Sequence, residues 1–296
     1  MIIVTNPGSN LPEGLVERYD IQVTPQQIVV DGVSHDTRFG IELALIDGWV
    51  RTAREHPHVV GTTAAEFVST FRAALRHDRE VLAIMTSRKI IGSYDAAQVA
   101  ARTLLRLPGE EGAKITVFDT GVTDVGAGLS CILAGEARAA GMPLEDVVQL
   151  LEACRREIQV GFVVETLEYL VKGGRATALR AFFANLFGLR PLIAFSSGEL
   201  KMMSKVSARA DAGIAIAQWI AGSLGQGRRV AAAVFHGDAP HKAQRAAEEL
   251  RRRLDVACLW LRPLSPSIYL HAGPGAVGVA AVPLDQLPWW PAHLRL

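Results

Sequence analysis

"EVLAIMTSRKIIGSYDAA", residues 80–97, decides how this chain is read. Residues 80–86 are a short run of apolar residues bounded by polar ones, the pattern of a strand buried on both faces. Ser87-Arg88-Lys89 is a polar turn, and from about 92 to 107 apolar residues recur at helical spacing. One strand feeding one helix through a short turn is the repeating unit of a parallel sheet. Such turns also hold the polar end of a ligand in α/β proteins. Here Ile90 and Ile91 stand where a hydroxyl would face that ligand, so the stretch raises the question of what it holds.

The same unit recurs on both sides of it. "IIVT" (2–5) reads as a strand before a helix at 11–19 with Pro12 in its first turn. "TPQQIVVDG" (24–32) reads as a strand ending in an Asp-Gly turn, with helical patterns near 41–55 and 64–77. "KITVFDT" (114–120) is a strand, followed by helices near 124–140 and 142–158. Alternation of this kind predicts parallel strands with right-handed crossovers. From residue 159 the pattern changes. "PLIAF" (191–195) and "ELKMMSKV" (199–206) flank Ser196-Ser197-Gly198 as a hairpin, and helices near 208–222 and 240–254 alternate with strands 228–236 and 256–261. The expectation is an α/β chain. An N-terminal three-layer α/β/α domain with a mainly parallel sheet (1–158) precedes a C-terminal two-layer α/β domain with a mixed sheet (159–284) and a tail (285–296). Trp289 and Trp290 in that tail are expected to lie back on the protein's own surface rather than on a partner.

Composition narrows the function. The chain has 296 residues, a formal net charge of +1 and 49% hydrophobic residues, enough for a sizeable core and too balanced for a nucleic-acid binder. Arg251-Arg252-Arg253 closes a helical pattern, where cations suit the negative end of the helix dipole. Three cysteines sit among apolar neighbours without a CxxC, as buried hydrophobes in a reducing compartment. No apolar run approaches the ~18 residues of a membrane span, and the N-terminus lacks a signal-peptide pattern, so the expected location is cytoplasmic. P-loop, G-x-S-x-G and HExxH motifs are all missing. His56 and His58 lack further donors at metal-ligand spacing, so no metal site and no cofactor are expected.

Several loops remain as candidates. "TNPGSNLP" (5–12) suits either an anion or a tight turn capped by Asn10. Thr63 with Glu66 forms a capping box, with Thr62 beside it. Ser93 caps the following helix or donates to a ligand. Lys172 and Arg175 flank Gly173-Gly174 and suit a phosphate or an acidic partner. His271 opens "HAGPG" (271–275).

Taken in order, "VTNPGSNLP", "TSRKIIGSYDAA", "FDTG", "ETLEYLVKGGRA", "LFGLRPLIAF", "FHGDAP" and "HAGPGAVGV" resemble the DegV family of bacterial lipid-binding proteins over about residues 1–282. The resemblance implies two α/β domains with one long-chain fatty acid between them. It implies a carrier and not an enzyme, which in some members presents the exposed carboxylate to a partner fatty-acid kinase subunit. It places ligand contacts at Val59, Val60, Thr62, Thr63, Ile91, Gly92, Ser93 and His271, and partner or phosphate contacts at Lys172 and Arg175. At Val59 and Ile91 the family's carboxylate-holding Thr and Ser are replaced by apolar residues. Losing two charge-assisted hydrogen bonds costs about 3–6 kcal/mol of head-group recognition. About fourteen buried methylenes contribute on the order of 11 kcal/mol, so an acyl chain is still expected to bind. Three arrangements compensate for the lost hydroxyls. Thr62, Thr63 or Ser93 shifts into reach, a protonated His271 supplies charge, or the head group is neutral; the first is slightly preferred. The competing readings are an enzyme or enzyme subunit of a phosphoryl-transfer assembly, and a degenerate paralogue without ligand.

Overall fold

The structure is a computed structural model that describes residues 1–38, 41–174, 187–291 and 294. The N-terminal half runs β1 (Ile2–Thr5), α1 (Glu13–Arg18), β2 (Ile21–Val23), β3 (Gln27–Val30), β4 (Val33–Asp36), α2 (Leu43–Thr52), β5 (His58–Val60), α3 (Ala64–Leu75), β6 (Glu80–Met85), α4 (Ser93–Leu104), β7 (Lys114–Asp119), α5 (Val125–Ala139) and α6 (Leu144–Glu157). The rest runs β8 (Gln159–Val163), α7 (Glu168–Lys172), β9 (Leu189–Ser196), β10 (Glu199–Ser207), α8 (Ala212–Leu224), β11 (Arg229–His236), α9 (Pro240–Arg253), β12 (Asp255–Pro263), α10 (Pro266–Ala272) and β13 (Val277–Pro283).

The stretch that decided the reading is β6, the turn and α4. It lies inside an all-parallel sheet of order β2-β1-β6-β7. The second sheet is mixed, β10-β9-β8-β13-β11-β12, with β11 and β12 parallel and the other pairs antiparallel. A small antiparallel sheet, β4-β3-β5, was not foreseen. β3 ends at the Asp31-Gly32 turn as expected, and the turn leads into β4 as a hairpin.

The inner strands of both large sheets are buried on both faces, and the alternation of side chains sorts them into layers. In β6, Val81, Ala83 and Met85 pack under α3 and α4, whereas Leu82 and Ile84 face the middle of the molecule. In β11, Val230, Ala232 and Val234 face α8 and α9, while Ala231, Ala233 and Phe235 face the same middle. The filling between the sheets is α5, which contacts β1 and β6 on one side and β11 and β13 on the other. It is buried at 12 of its 15 positions, as a helix without a polar face must be. The result is five layers, α/β/α/β/α, with one core continuous from sheet to sheet. Gly128 in α5 permits that closeness. A Cβ there would stand 2.6 Å from the Ser9 carbonyl oxygen and 2.7 Å from the Trp260 ring.

At the helix ends the sequence grammar is visible. Thr63 accepts from the Glu66 N–H while Glu66 accepts from the Thr63 N–H, the expected capping box. Asn10 ends the Pro7–Ser9 turn in the left-handed region, φ 50°. Arg252 and Arg253 both pair with Glu249 one turn earlier. Trp289 and Trp290 pack, half-buried, against the central core. The sequence predicts a helix on each side of "KGGRAT" (172–177); α7 is the first, and the second lies outside the described residues.

Candidate ligand site in the seam between the sheets

Where the two sheets come together beyond the end of β6, the space between them is lined by oily side chains. Ile90, Val160, Phe162, Leu170, Phe195 and Leu200 wall one cavity with Phe235 and α10. Next to it is a second one lined by Asn6, Gln26, Val59, Thr86, Ile91 and Ser267. Ile90, Thr123, Ile268 and His271 line both, so the two adjoin and together outline a channel, apolar along one part and with polar residues in the wall of the other, its polar end. In this conformation it is narrow, with about 40 Å3 of open space in the apolar part and about 20 Å3 at the polar end. Small-molecule pockets typically offer roughly 300–1,000 Å3. To take up a chain, the half-buried Ile90, Phe195 and Leu200 must move apart.

α10 is central to this site, and the sequence did not disclose it: His271 ends a helix and does not open a turn. The helix is gripped by the N-terminal half through the Tyr269 hydroxyl, which donates to Asp47 at 2.7 Å, and through His56 Nε2 at 3.3 Å from the Leu270 carbonyl. Burial lowers the His56 pKa, favouring its neutral ring. Gly173 lies directly on His271. A Cβ at that position would fall 2.0 Å from Nδ1, so the first glycine of the diglycine serves close approach to the site.

The seam is closed by an acid of unusual conformation. Asp124 sits at the N-cap of α5 with φ 52° and ψ −140°, a combination that suits glycine. Its carboxyl accepts from Asn10 Nδ2 (2.9 Å), the Val125 N–H (3.0 Å), the Ser265 N–H (3.1 Å) and the Ser265 hydroxyl (3.0 Å). Asn10 also donates to the Pro263 carbonyl at 2.8 Å. The first loop, the α5 cap and the approach to α10 are thereby tied at one buried point. Burial pushes the Asp124 pKa up, and the hydrogen bonds from Asn10, Ser265 and Val125 pull against it.

The opening turn has a second role in the seam. Ser87 donates to the Gly198 carbonyl at 2.7 Å, and Lys89 pairs with Glu199 at 3.1 Å, so the β9–β10 hairpin tip docks on it. Outside that contact is an open cleft of about 590 Å3 that includes Lys89, Arg155, Arg156, Ser196 and Trp219. Phe195 lines both this cleft and the apolar channel.

The expected site residues divide as follows. Val59, Ile91 and His271 line the polar end. Val60, Thr63 and Gly92 do not. Val60 and Gly92 are exposed, and Thr63 is committed to its capping box. Thr62 is buried and already donates to the Pro25 carbonyl at 2.7 Å, with Thr24 Oγ1 2.8 Å away. Ser93 is buried and its hydroxyl has no partner; it shares with the Ile91 side-chain tip the space above Gly61. Lys172 is exposed and pairs with Glu168 at 2.6 Å. Arg175 lies outside the described residues. Asn6, in the candidate loop 5–12, lines the polar end as well, whereas sequence reasoning missed Gln26, Thr86, Thr123, Ser267 and Ile268. Among the described residues no group of three or more His, Cys, Asp or Glu could hold a metal ion.

The loop after α10 is held by charge. Glu165 accepts from Lys242 Nζ and Arg190 Nε, each at 2.6 Å, and Lys242 also donates to the Gly275 carbonyl at 2.8 Å. Burial raises the Glu165 pKa, but the two cations outweigh it and the net shift is downward. A carboxyl more acidic when folded adds stability above its unfolded pKa and loses it as pH falls through the folded one. With Glu165 a third exposed, Glu165→Gln is expected to cost about 1 kcal/mol at pH 7. The melting-temperature gap from the parent should close below the ordinary glutamate value of 4.5. A gap independent of pH would contradict this assignment.

Comparison with known proteins agrees with this architecture. The model of the DegV family, described as uncharacterised protein, matches residues 1–284. A DegV domain-containing protein of Streptomyces coelicolor is 30% identical over 285 residues, covering 94% of this chain and 96% of the relative. Another from Deinococcus radiodurans is 29% identical over 289 residues, covering 96% and 98%. Among solved structures, a DegV family protein from Thermus thermophilus, described by its fatty acid binding, superposes with a TM-score of 0.86 at 29% identity over 96% of this chain and 99% of that one. A DegV lipid binding protein from Thermotoga maritima gives 0.83 at 25% identity over 96% and 98%. With a family match across nearly the whole chain and the same two-sheet architecture, this chain belongs to the DegV family.

Proposed function

We propose that this protein binds one long-chain fatty acid or related acyl ligand in the seam between its sheets, and that it is a carrier, not an enzyme. The observation that carries the reading is the channel itself, apolar along Phe162, Phe195 and Leu200 and polar where it reaches Gln26 and His271. An acyl chain with a polar head has that order of chemistry, and each CH2 withdrawn from water contributes about 0.8 kcal/mol. The Thermus relative, described by its fatty acid binding, supports it. The finer reading, drawn from the family resemblance, is that the ligand's head is presented to a partner fatty-acid kinase subunit. The three cysteines, all buried and unpaired, fit a cytoplasmic setting. Among the described residues no helix is long and apolar enough to cross a membrane.

Denaturing mass spectrometry of solvent extracts from the purified protein is expected to show an acyl species. Delipidated protein with a C16 or C18 ligand at about a hundred times Kd should gain ~2.7 kcal/mol, a rise of roughly 5–10 °C in Tm. No co-purifying lipid and no shift with any acyl ligand would leave the seam empty and overturn the reading. ATP is expected not to bind the isolated chain, and measurable affinity would favour a phosphoryl-transfer enzyme instead.

A further inference from the structure

The polar end of the channel holds a buried acceptor with nothing to accept from. Gln26 is 2% exposed, it lines the cavity, and its Oε1 has no hydrogen-bond partner. Its backbone is fixed, because the Gln26 carbonyl accepts from both the Thr37 N–H (2.9 Å) and the Thr37 hydroxyl (3.1 Å). The neighbouring amide is satisfied: Asn6 donates to Thr86 Oγ1 at 3.1 Å and accepts from the Thr86 N–H at 3.2 Å. Leaving a buried polar atom unpaired is costly in a way that a ligand can repair.

The charges around that atom are as informative. No Lys or Arg is among the described residues lining the polar end; His271 is its one titratable side chain. A carboxylate there would meet the Gln26 acceptor oxygen, aliphatic side chains at 59 and 91, the Thr123 and Ser267 hydroxyls and the His271 ring, and no fixed cation. A hydroxyl, an undissociated carboxyl or a primary amide would instead donate to Gln26 Oε1 and keep no charge to desolvate.

We propose that Gln26 is the head-group contact of the acyl ligand and that the site selects an uncharged, hydrogen-bond-donating head over a carboxylate. The inference rests on the acyl-binding reading above and specifies which acyl ligand is held.

The test measures binding of delipidated protein at pH 8 to four ligands sharing one C18 chain: oleyl alcohol, oleamide, oleate and methyl oleate. The alcohol and the amide are expected to bind at least about tenfold more tightly than oleate or the ester, a difference of ~1.4 kcal/mol. In Gln26→Met the advantage of alcohol over ester should vanish. Oleate binding tightest to the parent protein would overturn the proposal, because the amide would then present its N–H to a carboxylate. So would an unchanged alcohol-to-ester ratio in a folded Gln26→Met. If all four bind equally, the head-group inference alone fails. If none binds, the acyl-binding reading fails and takes this inference with it. The ranking in the parent protein decides even where the variant does not fold.

Discussion

Asp124→Leu should cost the folded protein about 3–5 kcal/mol, because it strands several buried donors at about 1–3 kcal/mol each. In a chain of this size that is a fall of roughly 6–20 °C in Tm. Leucine keeps most of the volume but accepts nothing, so the Ser265 N–H and the Val125 N–H lose the partner they have in the buried seam. Asn10 retains only its bond to the Pro263 carbonyl. The backbone supplies an internal control. At φ 52°, ψ −140°, glycine is unstrained where other residues lose about 1–3 kcal/mol. Asp124→Gly should therefore lose less than Asp124→Leu although it removes more atoms. Equal losses, or a leucine variant melting within about 2 °C of the parent, would show that the carboxylate does not tie the seam.

Ile90→Asp should weaken acyl binding by at least about a hundredfold, ~2.7 kcal/mol, and leave the fold nearly intact. Ile90 lines both parts of the channel, yet it sits half-buried in a surface turn, not in a strand. An aspartate there keeps water when the channel is closed and must shed it when a chain lies against it. The parent and variant should have similar Tm values without ligand, and the variant should show no ligand-induced rise. A retained rise would move the chain away from this turn.

The long, periodic elements were legible because their patterns have one reading. "EVLAIMT" is too short and too apolar for a surface helix, and Ser196-Ser197-Gly198 between two apolar runs allows little but a hairpin. The small sheet escaped notice because β4 is "VSHD", mostly exposed and without an apolar face. α10 escaped because seven residues beginning Pro-Ser carry barely two turns of periodicity. That omission hid Ile268 and misread His271. Gln26 was obscured by its neighbour. In "TPQQIVV" two glutamines sit side by side, and only the register of β3 decides that Gln26 turns inward and Gln27 does not. The resemblance led to the expectation of Val59 and Ile91 beside a head group, and both line the cavity at that end. Hydroxyls nearby are of less help than the sequence suggested, since Thr62 and Thr63 already have work elsewhere.

A helix packed on both sheets also constrains how anything gets in or out. Swinging the halves apart would strip α5 of one of its two faces and expose a contiguous oily surface to water, an opening too expensive to visit often. Parting the hairpin from its turn breaks far less: the Ser87–Gly198 bond, the Lys89–Glu199 pair and the packing of Phe195. The less costly way to widen the seam is therefore at this rim, where Phe195 alone, among the described residues, stands between the outer cleft and the apolar cavity walls.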